Sequence, residues 1–147
     1  MKVLVDTNIL IDYFGKRNEY YDEVLKLKAA AFFGDIDIWA TSNSFTDVFY
    51  ILHKEHPAHV IQDLFLNAQS HLSVCSVTQE DIFITAQEKW SDFEDCLVYS
   101  CAKKIRADYL LTRDREGFLR SDIPCLTLPE FFSAFEKKTG ISYEDIS

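Results

Sequence analysis

Lys2-Val3-Leu4-Val5-Asp6-Thr7-Asn8-Ile9-Leu10-Ile11-Asp12 is the stretch on which the fold turns. An apolar, β-branched run that stops at an acid and passes into two capping-type residues reads as a buried strand handing over to a helix. Asp6 then stands at the strand's carboxyl edge. In an open parallel sheet that edge is where ligands bind, so a carboxylate there is well placed for chemistry. Asp6, Thr7 or Asn8 could equally do no more than cap the following helix. The rest of the chain has to separate these two readings.

The chain has 147 residues, 48% of them hydrophobic and 14% aromatic, enough to bury one core without metal or disulfide staples. A single domain over residues 1–138 and a C-terminal tail over 139–147 are expected. No apolar run approaches the roughly 18 residues of a membrane span, and the N-terminus lacks the order of a signal peptide, so a cytoplasmic protein is expected. Cys75, Cys96, Cys101 and Cys125 show no paired zinc-ligand spacing and lie among apolar neighbours, which suits reduced core thiols. The net charge of -9 argues against coating nucleic acid through a basic face, while permitting a cluster of acids that holds metal ions.

Outward from the first strand, strand-like and helix-like segments alternate. A short helix through about Phe14 is followed by the breaker Gly15-Lys16-Arg17-Asn18 and by a helix from Glu19 to Phe33. Ile36 to Thr41 reads as a second strand, with Ser42, Asn43 and Ser44 as cap candidates for a helix over Phe45 to Lys54. A helix over His59 to Ser70 leads to a third strand, Leu72 to Val77, and Thr78 opens a helix to about Trp90. Ser91-Asp92-Phe93-Glu94 has the form of a capping box ahead of a helix from Asp95 to about Arg106. Asp108 to Thr112 is a fourth strand, Ile123 to Leu128 holds a short fifth, and Pro129 begins a last helix to about Lys138.

Strands separated by helices of ten or more residues cannot be hairpin partners. The expected architecture is therefore a three-layer α/β/α sandwich around a mainly parallel sheet of about five strands. All carboxyl edges then lie on one side, and the acids that fall there are Asp6, Asp47, Asp92, Asp95 and Asp114. Each has an ordinary explanation as a cap or turn residue. Gathered together they would repel one another unless a cation neutralised them, and a hard divalent ion prefers such oxygen ligands.

The opening Val-Leu-Val-Asp6-Thr7-Asn8-Ile-Leu-Ile-Asp12, the central Asp92-Phe93-Glu94-Asp95-Cys96-Leu97 and the later Ala107-Asp108-Tyr109-Leu110-Leu111-Thr112-Arg113-Asp114 together resemble a PIN domain, particularly the single-domain VapC-type toxin ribonucleases. The resemblance implies a Mg²⁺- or Mn²⁺-dependent endoribonuclease, often neutralised by an antitoxin. Asp6 matches the family's first acid, Asp95 the acid at the start of the long helix, and Asp114 the acid after the fourth strand. Asp47 stands where the family usually has a Glu, one methylene longer, so it is expected to reach a metal through water. Thr7, Asn8 and Thr112 match polar positions that in the family hydrogen-bond the acids or metal waters, with Asp92 as a further outer carboxylate.

A divalent ion held by carboxylates can lower the pKa of a bound water and stabilise charge on a phosphodiester, with no protein nucleophile. Consistently, none of His53, His56, His59 and His71 lies in a motif-bearing segment. Arg113 and Arg115, with Lys16 and Arg17, fall near the expected edge as candidate phosphate contacts for an RNA substrate. Aromatic residues crowd Glu19–Phe33 and Phe45–Lys54, which together with the family's habits points to a homodimer and a groove for an antitoxin segment. Two other readings stay open. One is a catalytically weak PIN-fold module that binds RNA or protein; the other, a phospho-acceptor α/β protein, lacks both the second acid two residues after Asp6 and a Lys after the last strand.

Overall fold

The computed structural model describes residues 1–16 and 19–143. Its strands are β1 (Lys2–Val5), β2 (Asp37–Thr41), β3 (Leu72–Cys75), β4 (Tyr109–Leu111) and β5 (Cys125–Leu126). They form one sheet in the order β3-β2-β1-β4-β5, every pairing parallel. The helices are α1 (Thr7–Gly15), α2 (Tyr21–Phe32), α3 (Ser42–Leu52), α4 (Ala58–Asn67), α5 (Gln79–Gln87), α6 (Phe93–Lys104) and α7 (Leu128–Thr139). Alternate residues of β1 serve opposite faces, as a strand's period of two requires. Val3 and Val5 pack into a cluster with Leu10 of α1, Leu27 of α2, Val48 of α3, Ile61 of α4 and Phe131 of α7. Leu4 points the other way, to Val98, Cys101 and Ala102 of α6. This is the α/β/α sandwich expected from the sequence.

The order of the strands positions the site. From β1 the chain steps outward to β2 and β3, then α5 and α6 carry it back across to β4 on the other side of β1. The sheet's direction of travel therefore reverses between β1 and β4, and a crevice opens outside the carboxyl ends of strands at such a reversal. The two strands stay paired to their ends, with Asp6 N–H donating to the Leu111 carbonyl at 2.8 Å.

Local chemistry moved several boundaries. Thr41, at the end of β2, caps α3 by accepting from Ser44 N–H at 3.2 Å, so this helix starts three residues before Phe45. The cap of α6 is Asp92, which accepts from Asp95 N–H at 3.0 Å; no reciprocal Ser91–Glu94 box forms, and Glu94 is left available for other contacts. Lys89 takes a left-handed conformation (φ 56°) just past α5, and Trp90 turns inward to stack on Tyr99 at 5.0 Å. β5 shrinks to two residues because Pro124 beside it has no N–H to donate.

Beyond α7, Gly140 adopts φ 76° as a left-handed cap and Tyr143 folds back onto the helix. Its ring stacks on Phe135 at 6.1 Å, its hydroxyl donates to Asp35, and the residue is 7% exposed. Tyr143 thus belongs to the core, while Ile141 and Ser142 before it are exposed. Replacing Tyr143 by Ala should lower unfolding stability by about 3 kcal/mol in urea titration, as for other large-to-small changes in a packed site. An unchanged midpoint would show that the segment contributes nothing.

Candidate active site at the switch point

Asp6 ends β1 and caps α1, and both of its carboxylate oxygens are held. Oδ1 accepts from Thr7 N–H at 2.8 Å and Oδ2 from the Thr112 hydroxyl at 2.8 Å, leaving Asp6 7% exposed. Burial pushes its carboxyl above the ordinary carboxylate range; the bonds from Thr112 and Thr7 oppose the shift, and the charges of Asp114 and Asp92 add to it. Thr112 Oγ1 also accepts from Asp114 N–H at 3.1 Å and lies 3.4 Å from Asn8 Nδ2. Asn8 Oδ1 in turn accepts from Arg113 N–H at 3.2 Å. Two hydroxyl or amide side chains therefore tie the end of β4 to the end of β1.

Across the crevice, the Asp92 cap presents Asp95 in the first turn of α6. Burial, then the charges of Asp6, Asp92, Glu94 and Asp114, push the Asp95 carboxyl from 3.8 up to about 7. Gly117 gives this carboxylate its room: a Cβ there would lie 2.2 Å from Asp95 Oδ2 and 3.9 Å from Asp114 Oδ2. Asp114 itself turns one oxygen back to cap the short 3₁₀ turn Arg115–Phe118, accepting from Glu116 N–H at 3.2 Å.

Asp47 stands apart from this group. It meets Glu94, whose carboxyl is raised by burial first and by Asp47 second. Glu94 also accepts from the Thr7 hydroxyl at 3.3 Å, and Thr7 Oγ1 lies 2.8 Å from Ser44 Oγ, itself 3.0 Å from Thr41 Oγ1. Reasoning from sequence spent Glu94 on a cap and did not single out Ser44. The one available signal for Ser44 was its place one turn ahead of Asp47 on the same helix.

Two of the basic residues expected near the edge are already engaged. Arg113 Nε lies 3.1 Å from Oδ2 of Asp12, a residue with 0% exposure, and its guanidinium covers the Tyr20 ring at 4.3 Å. Arg115 pairs with Glu130 at 2.9 Å. Lys16 is exposed, and Arg17 lies outside the described residues. All four histidines face solvent, and the cysteines are free thiols, three of them buried.

A family model described as PIN domain matches residues 2–116, a span that holds Asp6, Asp47, Asp95 and Asp114. The chain belongs to the PIN domain family. It is 27% identical over 138 residues to a protein of Aquifex aeolicus named Ribonuclease VapC1, covering 88% of this chain and 92% of that one. Among solved structures it resembles VapBC2 from Rickettsia felis bound to a promoter DNA fragment (TM-score 0.61, 19% identity, 86% of this chain and 97% of that one). It also resembles VapC20 from Mycobacterium tuberculosis, a sarcin-ricin loop cleaving toxin (TM-score 0.63, 11% identity, 80% and 94%). The five-stranded parallel sheet is common ground with these PIN folds.

The donors of this PIN domain suit a hard divalent cation. The acids at the crevice offer oxygen, and the side chain missing at Gly117 gives the Asp95 carboxylate its place beside Asp114. Among the described residues no group of three or more Asp, Glu, His or Cys side chains is placed to hold a metal ion by itself. Mg²⁺ does not need one, since it is usually held by one or two carboxylates and keeps several waters.

The crowded acids set a pH dependence. In metal-free protein Asp95 binds its proton up to about pH 7, whereas an unfolded Asp releases it near the ordinary 3.8. The folded state then binds more protons, so this contribution to stability is complete below pH 4 and lost as pH rises through 7. Asp81, Asp122 and Glu130 are shifted downward and act only at lower pH. With chelator present, the melting temperature should fall from pH 5.5 to pH 8, and Asp95→Asn should flatten that slope.

Proposed function

We propose that this PIN domain is a Mg²⁺- or Mn²⁺-dependent endoribonuclease, the toxin of a toxin–antitoxin pair. The observation that carries the proposal is the crowding of acids at the switch point, where the Asp114 charge adds to the cost of ionising Asp6 and the charges of Asp6 and Asp114 add to that of ionising Asp95. A divalent ion there supplies charge neutralisation at a scissile phosphate and acidifies a water it binds. Asp6 gives the site a fixed reference, because its two oxygens are anchored by Thr7 and Thr112. Asp95 and Asp114 approach from α6 and from the loop after β4, with Gly117 giving the Asp95 carboxylate its place. Asp47 acts from the rim: it faces Glu94, so its influence on the three acids passes through that carboxyl and the Thr7 hydroxyl.

Asp6→Asn, Asp95→Asn and Asp114→Asn should each abolish Mg²⁺-dependent RNA cleavage with the fold retained by circular dichroism. Asp47→Asn should cost about 10–100-fold, the usual effect of an outer-shell group. Asp47→Glu should keep or raise activity by restoring the longer reach. If Asp6→Asn cleaves structured RNAs at the wild-type rate, the proposed site is wrong. The second reading, a PIN-fold module that binds without cleaving, draws on the acidic balance and on the short Asp47; in that case RNA is retained intact at every metal concentration.

Partner proteins follow from the apolar surface. The VapBC2 structure from Rickettsia felis carries DNA, and a further neighbour is a toxin–antitoxin complex from Klebsiella pneumoniae. Here Phe32, Phe33 and Tyr50 are 70%, 66% and 70% exposed on α2, at its C-cap and on α3, while Phe45 and Phe49 pack against the core. Exposed aromatic groups of this size suit an interface. We assign them to a homodimer contact and an antitoxin groove. Sedimentation should show a dimer at micromolar concentration, and a monomer at high micromolar concentration removes that half of the assignment.

A further inference from the structure

Asp12 is a fully buried carboxylate in which the proposed reaction has no direct use. An ionised acid is not kept out of water without a partner, and removing the partner of a buried pair is strongly destabilising. One partner of Asp12 is Arg113, the residue between Thr112, which bonds Asp6, and Asp114. Asn8 and Asp12 stand four positions apart and so share one face of α1. Asn8 accepts from the Arg113 backbone N–H at 3.2 Å, and Asp12 meets the Arg113 side chain at 3.1 Å. One helix face thus grips residue 113 at both its main chain and its tip, and Tyr20 covers the guanidinium at 4.3 Å.

We infer that Asp12 and Arg113 form a positioning pair that fixes the Asp114-bearing end of β4 against α1, and thereby sets the spacing of Asp114 from Asp6. The inference rests on the metal-dependent ribonuclease reading above. It reassigns Arg113 from phosphate contact to scaffold: swinging toward a substrate phosphate would give up its ion pair with Asp12 and its place on the Tyr20 ring. Arg is suited to this post because its planar fork can pair with a carboxylate and lie flat on an aromatic ring together, which Lys cannot do.

The test measures Mn²⁺ binding to metal-free protein by calorimetry, alongside kcat and KM for RNA cleavage. The variant Asp12→Asn/Arg113→Gln removes both charges of the pair together. It should stay folded, bind Mn²⁺ about 10–100-fold more weakly, lose kcat by a similar factor and keep its KM for RNA. Arg113→Lys should lose in the same direction by less, with Asp12 still paired. A folded double variant with wild-type Mn²⁺ affinity and kcat overturns the inference, as does one that changes only KM or melting temperature. Should the double variant not fold, Arg113→Lys decides, and wild-type Mn²⁺ affinity in it overturns the inference. Wild-type protein that neither binds Mn²⁺ nor cleaves RNA removes the ribonuclease reading and this one with it; wild-type protein that does both, beside an unchanged variant, removes this one alone.

Discussion

A carboxylate buried at the seam between two parallel strands is the constraint on which the rest of this molecule depends. Asp6 cannot retreat to solvent, because it ends a central strand and begins a helix at once. Its charge is tolerated only through the Thr7 N–H and the Thr112 hydroxyl. The second of these comes from the far side of the topological reversal, so the sheet order β3-β2-β1-β4-β5 and the retention of a charged group at its centre are one requirement. Crowding more acids around Asp6 works against folding. A cluster of like charges held at this edge is therefore not a feature the core would select for itself.

The fold could be read from the sequence because its signals are local and repeated. Apolar strand runs, helices of ten or more residues between them and an acid after the first run suffice to specify a parallel sheet and one active edge. The acids on that edge were readable for the same reason: Asp6, Asp95 and Asp114 each follow a strand end or open a helix. What could not be read is how polar groups are shared among neighbours. Asp92 and Glu94 both looked like capping residues, yet one cap suffices, and the geometry gave it to Asp92. Glu94 was thereby left to meet Asp47 and Thr7. Arg113 read as a candidate phosphate contact near the sheet edge, because its long-range partner Asp12 lies 101 residues earlier in the chain.

Boundaries failed where a single backbone property overrode the hydrophobic pattern. Lys89 in a left-handed conformation closed α5 before Trp90, and Pro124 restricted β5 to two residues. Tyr143 shows the converse. A lone aromatic residue in a polar segment carries no periodic signal, but its burial against Phe135 makes the segment structural.

The bond between Thr112 and Asp6 spans 106 positions, and this separation bears on how the protein is made. During synthesis β1 leaves the ribosome first and has neighbours in β2 and β3, but the strand that completes its other side arrives only after α6. Until then Asp6 ends a half-flanked strand, and Asp95 and Asp114 have no fixed place beside it. Non-local pairings of this kind form late in folding. A nascent or prematurely terminated chain therefore carries the first acid without the others. The cell that makes this protein meets an assembled acidic centre only once the chain through β4 and the turn after it exists.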